Sequence, residues 1–309
     1  MLPWMGLVLL STVQASSVSH LEVIGQDVSS EYQQIANELD QNLNAESFAD
    51  LSQYKILLVR GFFSDQMPAP KSLYAIARNP SLTFSDQAKW FRKQSIEFSI
   101  LPTHSEQIPE VNAPILLDAI RHSSKPIIFM SHSRGGLDVL EAMLTGEEAL
   151  LSKVKGWIAL QGPFQGTPLA DEFLINPLIR LLTGKILQLI GGSISSVFNM
   201  SLPQRKNYNE SRAEKIERLR QSLPILCLST WKPNISGYDT EFEITRDLMD
   251  YLGFQTDGVI PWQSEILPGS DYVFIKNLDH PSTVHENSIV SFDRTRMTKT
   301  LFKMLRNRM

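Results

Sequence analysis

Residues 126–144, PIIFMSHSRGGLDVLEAML, join a short apolar run to an amphipathic run through a turn that holds two adjacent glycines. The first five residues have the length and apolar character of a buried strand, and the last eight carry the spacing of a helix. A strand that runs straight into such a turn lifts one residue above the edge of a sheet. That residue is Ser133, with Ser131 two positions before it and Gly135 two positions after it.

This small-x-Ser-x-Gly pattern between a strand and a helix is typical of a nucleophile elbow. The sharp turn crowds the backbone, so the residues two before and two after the serine must be small, as Ser131 and Gly135 are. The helix that follows directs its N-terminus at the serine and favours negative charge there. We therefore predict that Ser133 is a nucleophile and that the backbone N–H of Arg134 is an oxyanion-hole donor. The alternative is an ordinary strand–turn–helix corner with a capping serine.

The rest of the chain alternates apolar runs with helical patterns, which predicts an α/β fold with a mostly parallel sheet and helices on both faces. The other predicted strands cover residues 54–59, 96–101, 154–160, 224–228 and 272–275. The other predicted helices cover residues 86–93, 110–122 and 289–305.

An insertion at about residues 169–222 separates two of the predicted strands. Apolar residues follow a helical period from Phe173 to Ile190, where Gly191 and Gly192 interrupt it. The run is either a core helix or a helical lid over an apolar acyl site. Its apolar content exceeds what one buried face requires. The lid interpretation also predicts transient contact with a membrane or lipid surface.

The partners of a nucleophilic serine follow it along the chain in the order acid, then histidine. Asp257 lies in the glycine-containing turn TDGVIP, residues 256–261, and His280 follows the last predicted strand. We expect His280 to take the proton of Ser133 and Asp257 to hold the imidazole in place. His285 is the alternative base. The alternative acids are Asp250, Asp271 and Asp279.

The loop after the first strong strand reads Arg60-Gly61-Phe62 and supplies the second predicted oxyanion-hole donor. Gly61 permits a tight turn, and the backbone N–H of Phe62 would point at the carbonyl oxygen. The alternative is a plain turn at the end of a strand. Arg60 places a charged group beside this site, where it would bind an acidic head group or pair with a nearby carboxylate.

Three further stretches carry a family resemblance: GPFQGTPLAD at residues 162–171, DGVIP at residues 257–261, and the dipeptide Asp279-His280. Together with the elbow they resemble the α/β-hydrolase superfamily and, within it, the bacterial lipases and esterases, in which the first of these stretches often reads GTPLAD. The resemblance begins at about Tyr54 and continues to the C-terminal helix. The chain departs from the family at Arg60, where a histidine is usual, and at Ser131, where a glycine is usual.

The resemblance implies an α/β-hydrolase domain over residues 16–309 with a Ser133, Asp257 and His280 triad that hydrolyses carboxylic esters. A small-molecule or lipid ester, such as a fatty-acyl ester, is the expected substrate. The same triad would also serve an acyltransferase, which passes the acyl group to an alcohol or lipid. A catalytically silent binding protein on the same fold is the third hypothesis.

Bulk composition restricts the partners. The net charge of −4 leaves no basic surplus to neutralise phosphates, so nucleic acid is not an expected partner. The single cysteine, Cys227, lies in an apolar run and is expected to be a buried thiol. No Cys/His spacing indicates zinc, and no phosphate-binding glycine motif is present, so we predict neither a metal nor a cofactor.

The N-terminus carries an apolar run at residues 2–13 that is followed by small and polar residues. This run is too short to span a bilayer and matches the apolar region of a secretory signal. We predict a signal peptide over residues 1–15 and a secreted or periplasmic protein. The alternative is an apolar N-terminal segment that packs on the core.

Overall fold

The computed structural model describes residues 21–41, 48–61, 83–104, 107–176, 193–233, 242–285 and 291–309. The predicted signal peptide lies outside these ranges, so secretion stays a prediction. None of the helices within these ranges is both long enough and apolar enough to cross a membrane.

The described residues form one sheet of seven parallel strands in the order β1-β7-β6-β5-β4-β2-β3. The strands are β1 (Gly25–Asp27), β2 (Lys55–Val59), β3 (Glu97–Ile100), β4 (Ile127–His132), β5 (Val154–Leu160), β6 (Ile225–Trp231) and β7 (Ser270–Lys276). All six residues of the central strand β4 are buried, because helices cover both faces of a parallel sheet.

The strand residues divide between two apolar clusters, one on each face of the sheet. On β2, Leu57 and Val59 face one cluster while Ile56 and Leu58 face the other. The described helices are α1 (Ser29–Gln41), α2 (Ser85–Lys93), α3 (Pro109–Arg121), α4 (Gly135–Thr145), α5 (Glu148–Leu151), α6 (Pro168–Ile175), α7 (Ile194–Asn199), α8 (Leu202–Ser211), α9 (Ala213–Ser222), α10 (Glu243–Tyr251) and α11 (Arg294–Arg306). Two short 3₁₀ helices cover Ala49–Gln53 and Trp262–Glu265. Helices α3 and α4 contribute to the first cluster, and α1, α2 and α11 contribute to the second.

The predicted fold class is confirmed, because each predicted strand is present within a few residues of its expected bounds. The start of the last helix was predicted wrongly, at residue 289. Helix α11 begins at Arg294, because the Asp293 carboxylate accepts the Arg296 backbone N–H at 2.8 Å and caps the helix there. The sequence did not predict β1 or α1.

The first and last described helices pack together beside the edge of the sheet. Arg308, just beyond α11, donates to Glu31 of α1 at 2.6 Å and to Asp271 of β7 at 2.9 Å. Strand β1 pairs with β7, so the N-terminal and C-terminal elements share one edge of the molecule.

The described part of the insertion is mostly helical, and its base is attached to α4. The Tyr208 hydroxyl donates to the Glu141 carboxylate of α4 at 2.6 Å. The guanidinium groups of Arg205 and Arg212 stack on the Tyr208 ring, 4.1 and 4.2 Å from its centroid. Most of the apolar run that suggested a lid falls in residues 177–192, outside the described residues. The lid therefore stays a prediction.

Candidate functional site

Ser133 stands at the corner between β4 and α4 in a strained backbone conformation. Its φ is +56°, in the left-handed region that residues with a side chain rarely adopt. Its N–H donates to the Leu160 carbonyl at 2.9 Å, and its own carbonyl accepts the Gly136 N–H at 2.9 Å. These bonds hold the strained residue in place. Strain of this kind concentrates at functional sites and is a property of the nucleophile elbow.

Two glycines leave the space that the elbow requires. A Cβ at Gly135 would lie 2.6 Å from the Val59 carbonyl oxygen, because the start of α4 packs against the end of β2. A Cβ at Gly61 would lie 2.6 Å from the Ser133 Cβ. Real Cβ atoms do not approach other atoms this closely. The small residue predicted at position 135 is therefore required by a close approach of two backbones.

Ser131 has a structural role that explains why serine stands where the family usually has glycine. Its hydroxyl accepts a hydrogen bond from the Trp157 indole Nε1–H at 2.8 Å. Both side chains are buried, and a buried indole N–H without an acceptor is costly. Glycine at position 131 would leave that group unpaired.

The structure brings Ser133, His280 and Asp257 into one hydrogen-bonded array, which we call the Ser–His–Asp array. The Ser133 Oγ lies 2.8 Å from His280 Nε2, and His280 Nδ1 lies 2.5 Å from Asp257 Oδ2. The His280 backbone N–H also donates to the Asp257 carbonyl at 2.9 Å. Asp257 is fully buried, whereas His280 keeps 9% of its surface exposed. The three residues come from three separate loops, after β4, before the second 3₁₀ helix, and after β7.

The turn that carries Asp257 fixes its carboxylate. Oδ1 accepts the backbone N–H groups of Val259 and Ile260 at 2.9 and 2.8 Å, and Gly258 supplies the positive φ that the turn needs. Burial acts to raise the pKa of Asp257, but the charge and hydrogen bond of His280 hold that pKa below its ordinary value. Asp257 is therefore ionised and faces the imidazole.

Gln161 contacts the same carboxylate and was not predicted from the sequence. It follows β5 directly, with a φ of +51°. Its Nε2 donates to Asp257 Oδ2 at 3.1 Å and to the Thr230 hydroxyl at 2.6 Å, while its Oε1 accepts from the Thr283 hydroxyl at 2.5 Å. The signal for it was its position at the carboxyl end of a parallel strand, where the sites of such sheets gather.

His132 was given no role in the sequence prediction, yet its ring packs against His280. The two ring centroids are 4.8 Å apart. His132 Nε2 donates to the His280 carbonyl at 2.9 Å, since a carbonyl can only accept. Burial, together with the nearby His280, lowers the pKa of His132 well below its ordinary value. His132 is therefore a neutral support for the histidine of the array.

The alternative base and acids considered from the sequence lie in other contacts. The alternative base, His285, has its Nε2 atom 2.9 Å from the Thr83 hydroxyl. Of the alternative acids, Asp271 accepts a hydrogen bond from Arg308, and Asp279 Oδ2 lies 3.8 Å from Lys232 Nζ. Asp250 is exposed on α10. The hydrogen-bond geometry therefore favours His280 and Asp257 over these alternatives.

The predicted oxyanion-hole donors are only partly described. Arg134 is the residue between Ser133 and the first residue of α4, and Phe62 lies outside the described residues. The buried Arg134 side chain donates to the His104 carbonyl at 2.6 Å and to the Gln107 carbonyl. These bonds attach the segment before α3 to the elbow. The role of either backbone N–H as an oxyanion donor stays a prediction.

One trio of potential metal ligands occurs within the described residues, and it overlaps the array. Single atoms of Asp257, Glu265 and His280 lie within 4.8 Å of one another. Two of these atoms, Asp257 Oδ2 and His280 Nδ1, are only 2.5 Å apart. Ligands that each sit about 2 Å from a tetrahedral zinc are separated by roughly 3.3 Å. The short separation is that of a hydrogen bond rather than of two metal ligands.

Comparison with solved structures gives several likenesses at low sequence identity. A carboxyl esterase from a metagenome matches with a TM-score of 0.71 and 17% identity, over 96% of this chain and 98% of the other. A mature lipase from Bacillus licheniformis matches with a TM-score of 0.62 and 18% identity, over 81% of this chain and 91% of the other. A phospholipase from Legionella pneumophila matches with a TM-score of 0.56 and 15% identity, over 82% of this chain and 59% of the other.

Sequence comparison gives no such likeness. No protein-family model matches the chain, and no curated protein matches it in sequence. The structural likenesses establish the fold, and the chemistry must be argued from the arrangement of this chain's own residues.

Proposed function

We propose that this chain, which has the α/β-hydrolase fold, is a serine-dependent hydrolase of carboxylic esters. The observation that supports the proposal best is the contact of 2.8 Å between the Ser133 Oγ and His280 Nε2. It pairs a hydroxyl with a base at the distance needed for proton transfer, and the base is in turn oriented by Asp257. A buried structural serine would not need this arrangement.

The geometry supports a two-step acyl transfer. Ser133 Oγ attacks the ester carbonyl carbon as His280 Nε2 takes its proton, and His280 then gives that proton to the departing alkoxide. A water molecule next loses a proton to His280 and attacks the acyl-serine. As the bond between the acyl carbon and Ser133 Oγ breaks, His280 returns that proton to Oγ, which releases the carboxylic acid and restores Ser133. Asp257 keeps the proton of the neutral imidazole on Nδ1 and stabilises the imidazolium that forms in each step.

We propose that the backbone N–H groups of Arg134 and Phe62 stabilise the negative charge that forms on the ester carbonyl oxygen during the attack. Arg134 immediately precedes α4, so its N–H belongs to the N-terminal end of a helix of 11 residues. Helix N-termini favour anions because their first N–H groups lack partners within the helix. The packing of Gly135 against the backbone of Val59 and Arg60 fixes this helix end relative to the end of β2.

For the substrate we propose an ester with a fatty-acyl chain. The names of the three structural neighbours, an esterase, a lipase and a phospholipase, agree with ester chemistry. Large apolar side chains are also exposed on the insertion: Ile175 is 72% exposed, Ile194 is 67% exposed and Phe198 is 51% exposed. Such side chains on adjacent helices suit contact with a lipid surface.

A panel of p-nitrophenyl esters of increasing acyl length tests this proposal. We expect the wild type to hydrolyse them with a preference for medium or long chains, and we expect the Ser133→Ala variant to lose turnover by at least about 10³-fold. The control is Ser152→Ala, which removes a solvent-exposed hydroxyl and should leave turnover unchanged. Turnover in a folded Ser133→Ala protein similar to that of the wild type would reject the assignment.

The two other hypotheses differ from this one in measurable ways. An acyltransferase would form a new ester when a competing acceptor alcohol is present, whereas a hydrolase releases free acid. A catalytically silent protein would fail to react with a fluorophosphonate probe. We expect free acid as the main product and covalent labelling that maps to Ser133.

A further inference from the structure

Glu265 is a buried acid that the proposed reaction does not use. It ends the 3₁₀ helix Trp262–Glu265, which follows the turn that carries Asp257, and it is fully buried. One of its carboxyl oxygens lies within 4.8 Å of both an Asp257 carboxyl oxygen and a His280 ring nitrogen. Buried acids are costly unless they are neutral or well paired, so a residue of this kind beside the array requires an explanation.

The donors around the two acids are unequal. The Asp257 carboxylate accepts hydrogen bonds from Val259, Ile260, Gln161 and His280. In contrast, Glu265 Oε2 accepts the Thr230 backbone N–H at 2.6 Å, no other backbone N–H of the described residues donates to this carboxyl group, and the group is also hydrogen-bonded to Asp257. Two neighbouring buried carboxyl groups do not both ionise, and the charge stays on the better-solvated one. That one is Asp257.

The electrostatic environment leads to the same assignment. Burial, and then the charge and hydrogen bond of Asp257, raise the pKa of Glu265 well above its ordinary value. Glu265 is therefore the member of the pair that keeps a proton while Asp257 is ionised. The pair carries one negative charge in total.

We propose that Glu265 is a positioning residue of the Ser–His–Asp array, which holds the Asp257 carboxylate towards His280 and keeps the single charge of the pair on Asp257. This inference rests on the proposed function. If Glu265 were ionised, a second negative charge would lie within 4.8 Å of His280 and would stabilise the imidazolium over the neutral imidazole that the proposed reaction needs as its base.

Two substitutions separate this role from simple packing. Glu265→Gln keeps the shape and a neutral donor, so we expect kcat within about threefold of the wild type and an acidic limb of kcat/KM that moves by less than about 0.3 pH unit. Glu265→Leu has similar bulk but no donor, so we expect kcat to fall at least about tenfold while KM changes less than threefold. Glu214→Gln, at an exposed glutamate on α9, is the matched control.

The results that would overturn the proposal are equally specific. A folded Glu265→Gln protein whose acidic limb moves down by half a pH unit or more would show that Glu265 is charged in the wild type. A folded Glu265→Leu protein with the kcat of the wild type would show that no positioning is needed. If the leucine variant does not fold, the glutamine variant alone decides the charge state and therefore the proposal.

A spectroscopic measurement keeps this test independent of ester turnover. His280 Nδ1 lies 2.5 Å from Asp257 Oδ2, so the proton on Nδ1 should give a far-downfield NMR signal in the wild type. We expect the signal to persist in Glu265→Gln and to move upfield or broaden in Glu265→Leu. An unchanged signal in the leucine variant would contradict the positioning role. Failure of the ester assay would contradict the proposed hydrolase and leave this measurement valid.

Discussion

Gly61 offers the sharpest test of whether the elbow must be this tight. A Cβ added there would lie 2.6 Å from Ser133 Cβ, 3.0 Å from the His132 carbonyl oxygen and 3.1 Å from Ser133 Oγ. Carbon atoms pack at about 3.5 Å or more, so Gly61→Ala requires a displacement of about 0.9 Å. The neighbouring atoms belong to the serine itself and to backbone, which cannot rotate away as the end of a flexible side chain can.

The expected magnitude follows from that displacement. The Ser133 Oγ lies 2.8 Å from His280 Nε2, and a retreat of about 0.9 Å would take it beyond hydrogen-bonding distance. A misplacement of about 1 Å costs on the order of 10² in rate. Overpacking itself costs about 1–3 kcal/mol of folding free energy. We therefore expect Gly61→Ala to fold, to lose a few degrees of Tm, and to lose about 10²-fold in kcat with little change in KM.

The assay compares Gly61→Ala with a second alanine variant that suffers an equally close contact elsewhere. A Cβ at Gly146 would lie 2.6 Å from Leu117 Cδ2, at the flexible end of a side chain, and Gly146 has an ordinary φ of −71°. Gly146→Ala should therefore lose stability without losing activity. Steady-state kinetics on a p-nitrophenyl ester and thermal unfolding are measured on both. Wild-type kcat in Gly61→Ala would refute the reasoning.

Two further predictions concern stability. Ser131→Ala should leave the Trp157 indole N–H buried without an acceptor and lower the free energy of unfolding by about 1–3 kcal/mol. Urea unfolding measures this loss. An unchanged midpoint would contradict the role of Ser131 as the acceptor for Trp157. Burial, and then the positive charges of His280 and of nearby arginines, lower the pKa of His285 to about 4 in the folded state. In the unfolded state the same imidazole binds a proton below about pH 6.5. Stability should therefore fall as the pH drops from about 6.5 to about 4, by up to about 1.4 kcal/mol per pH unit, and His285→Gln should flatten that slope in pH-dependent urea unfolding. Equal slopes in both proteins would count against a neutral His285 in the folded state.

The parts of the fold that the sequence predicted are those with strong local patterns. The central strands are buried on both faces, so they are continuous apolar runs that the sequence displays directly. Strand β1 reads Gly-Gln-Asp and is exposed, and only its pairing with β7 makes it a strand. Helix α1 has an amphipathic pattern, with Tyr32, Ile35, Ala36 and Leu39 buried, but it is polar on average and was not assigned.

The residues of the candidate site also differ in whether a local sequence pattern predicts them. The serine, the acid and the histidine could be predicted because the elbow has a local signature and the order of its partners along the chain is fixed. Gln161 and Glu265 have no local signature, since their importance arises from contacts with Asp257 that only the folded sheet creates. The structural role of the Ser131 hydroxyl also has no local signature, because its hydrogen-bond donor is the Trp157 indole, 26 residues further along the chain.

The shared edge of the N-terminal and C-terminal elements has a consequence for synthesis on the ribosome. The buried face of α1 packs against α11, and β1 pairs with β7, so the first described elements find their partners only when the last have been made. Until then α1 must keep an apolar stripe in solution, including Ile35 and Leu39. A nascent chain stalled before residue 270 would therefore present this stripe to chaperones or to other nascent chains, and aggregation of truncated products should begin there.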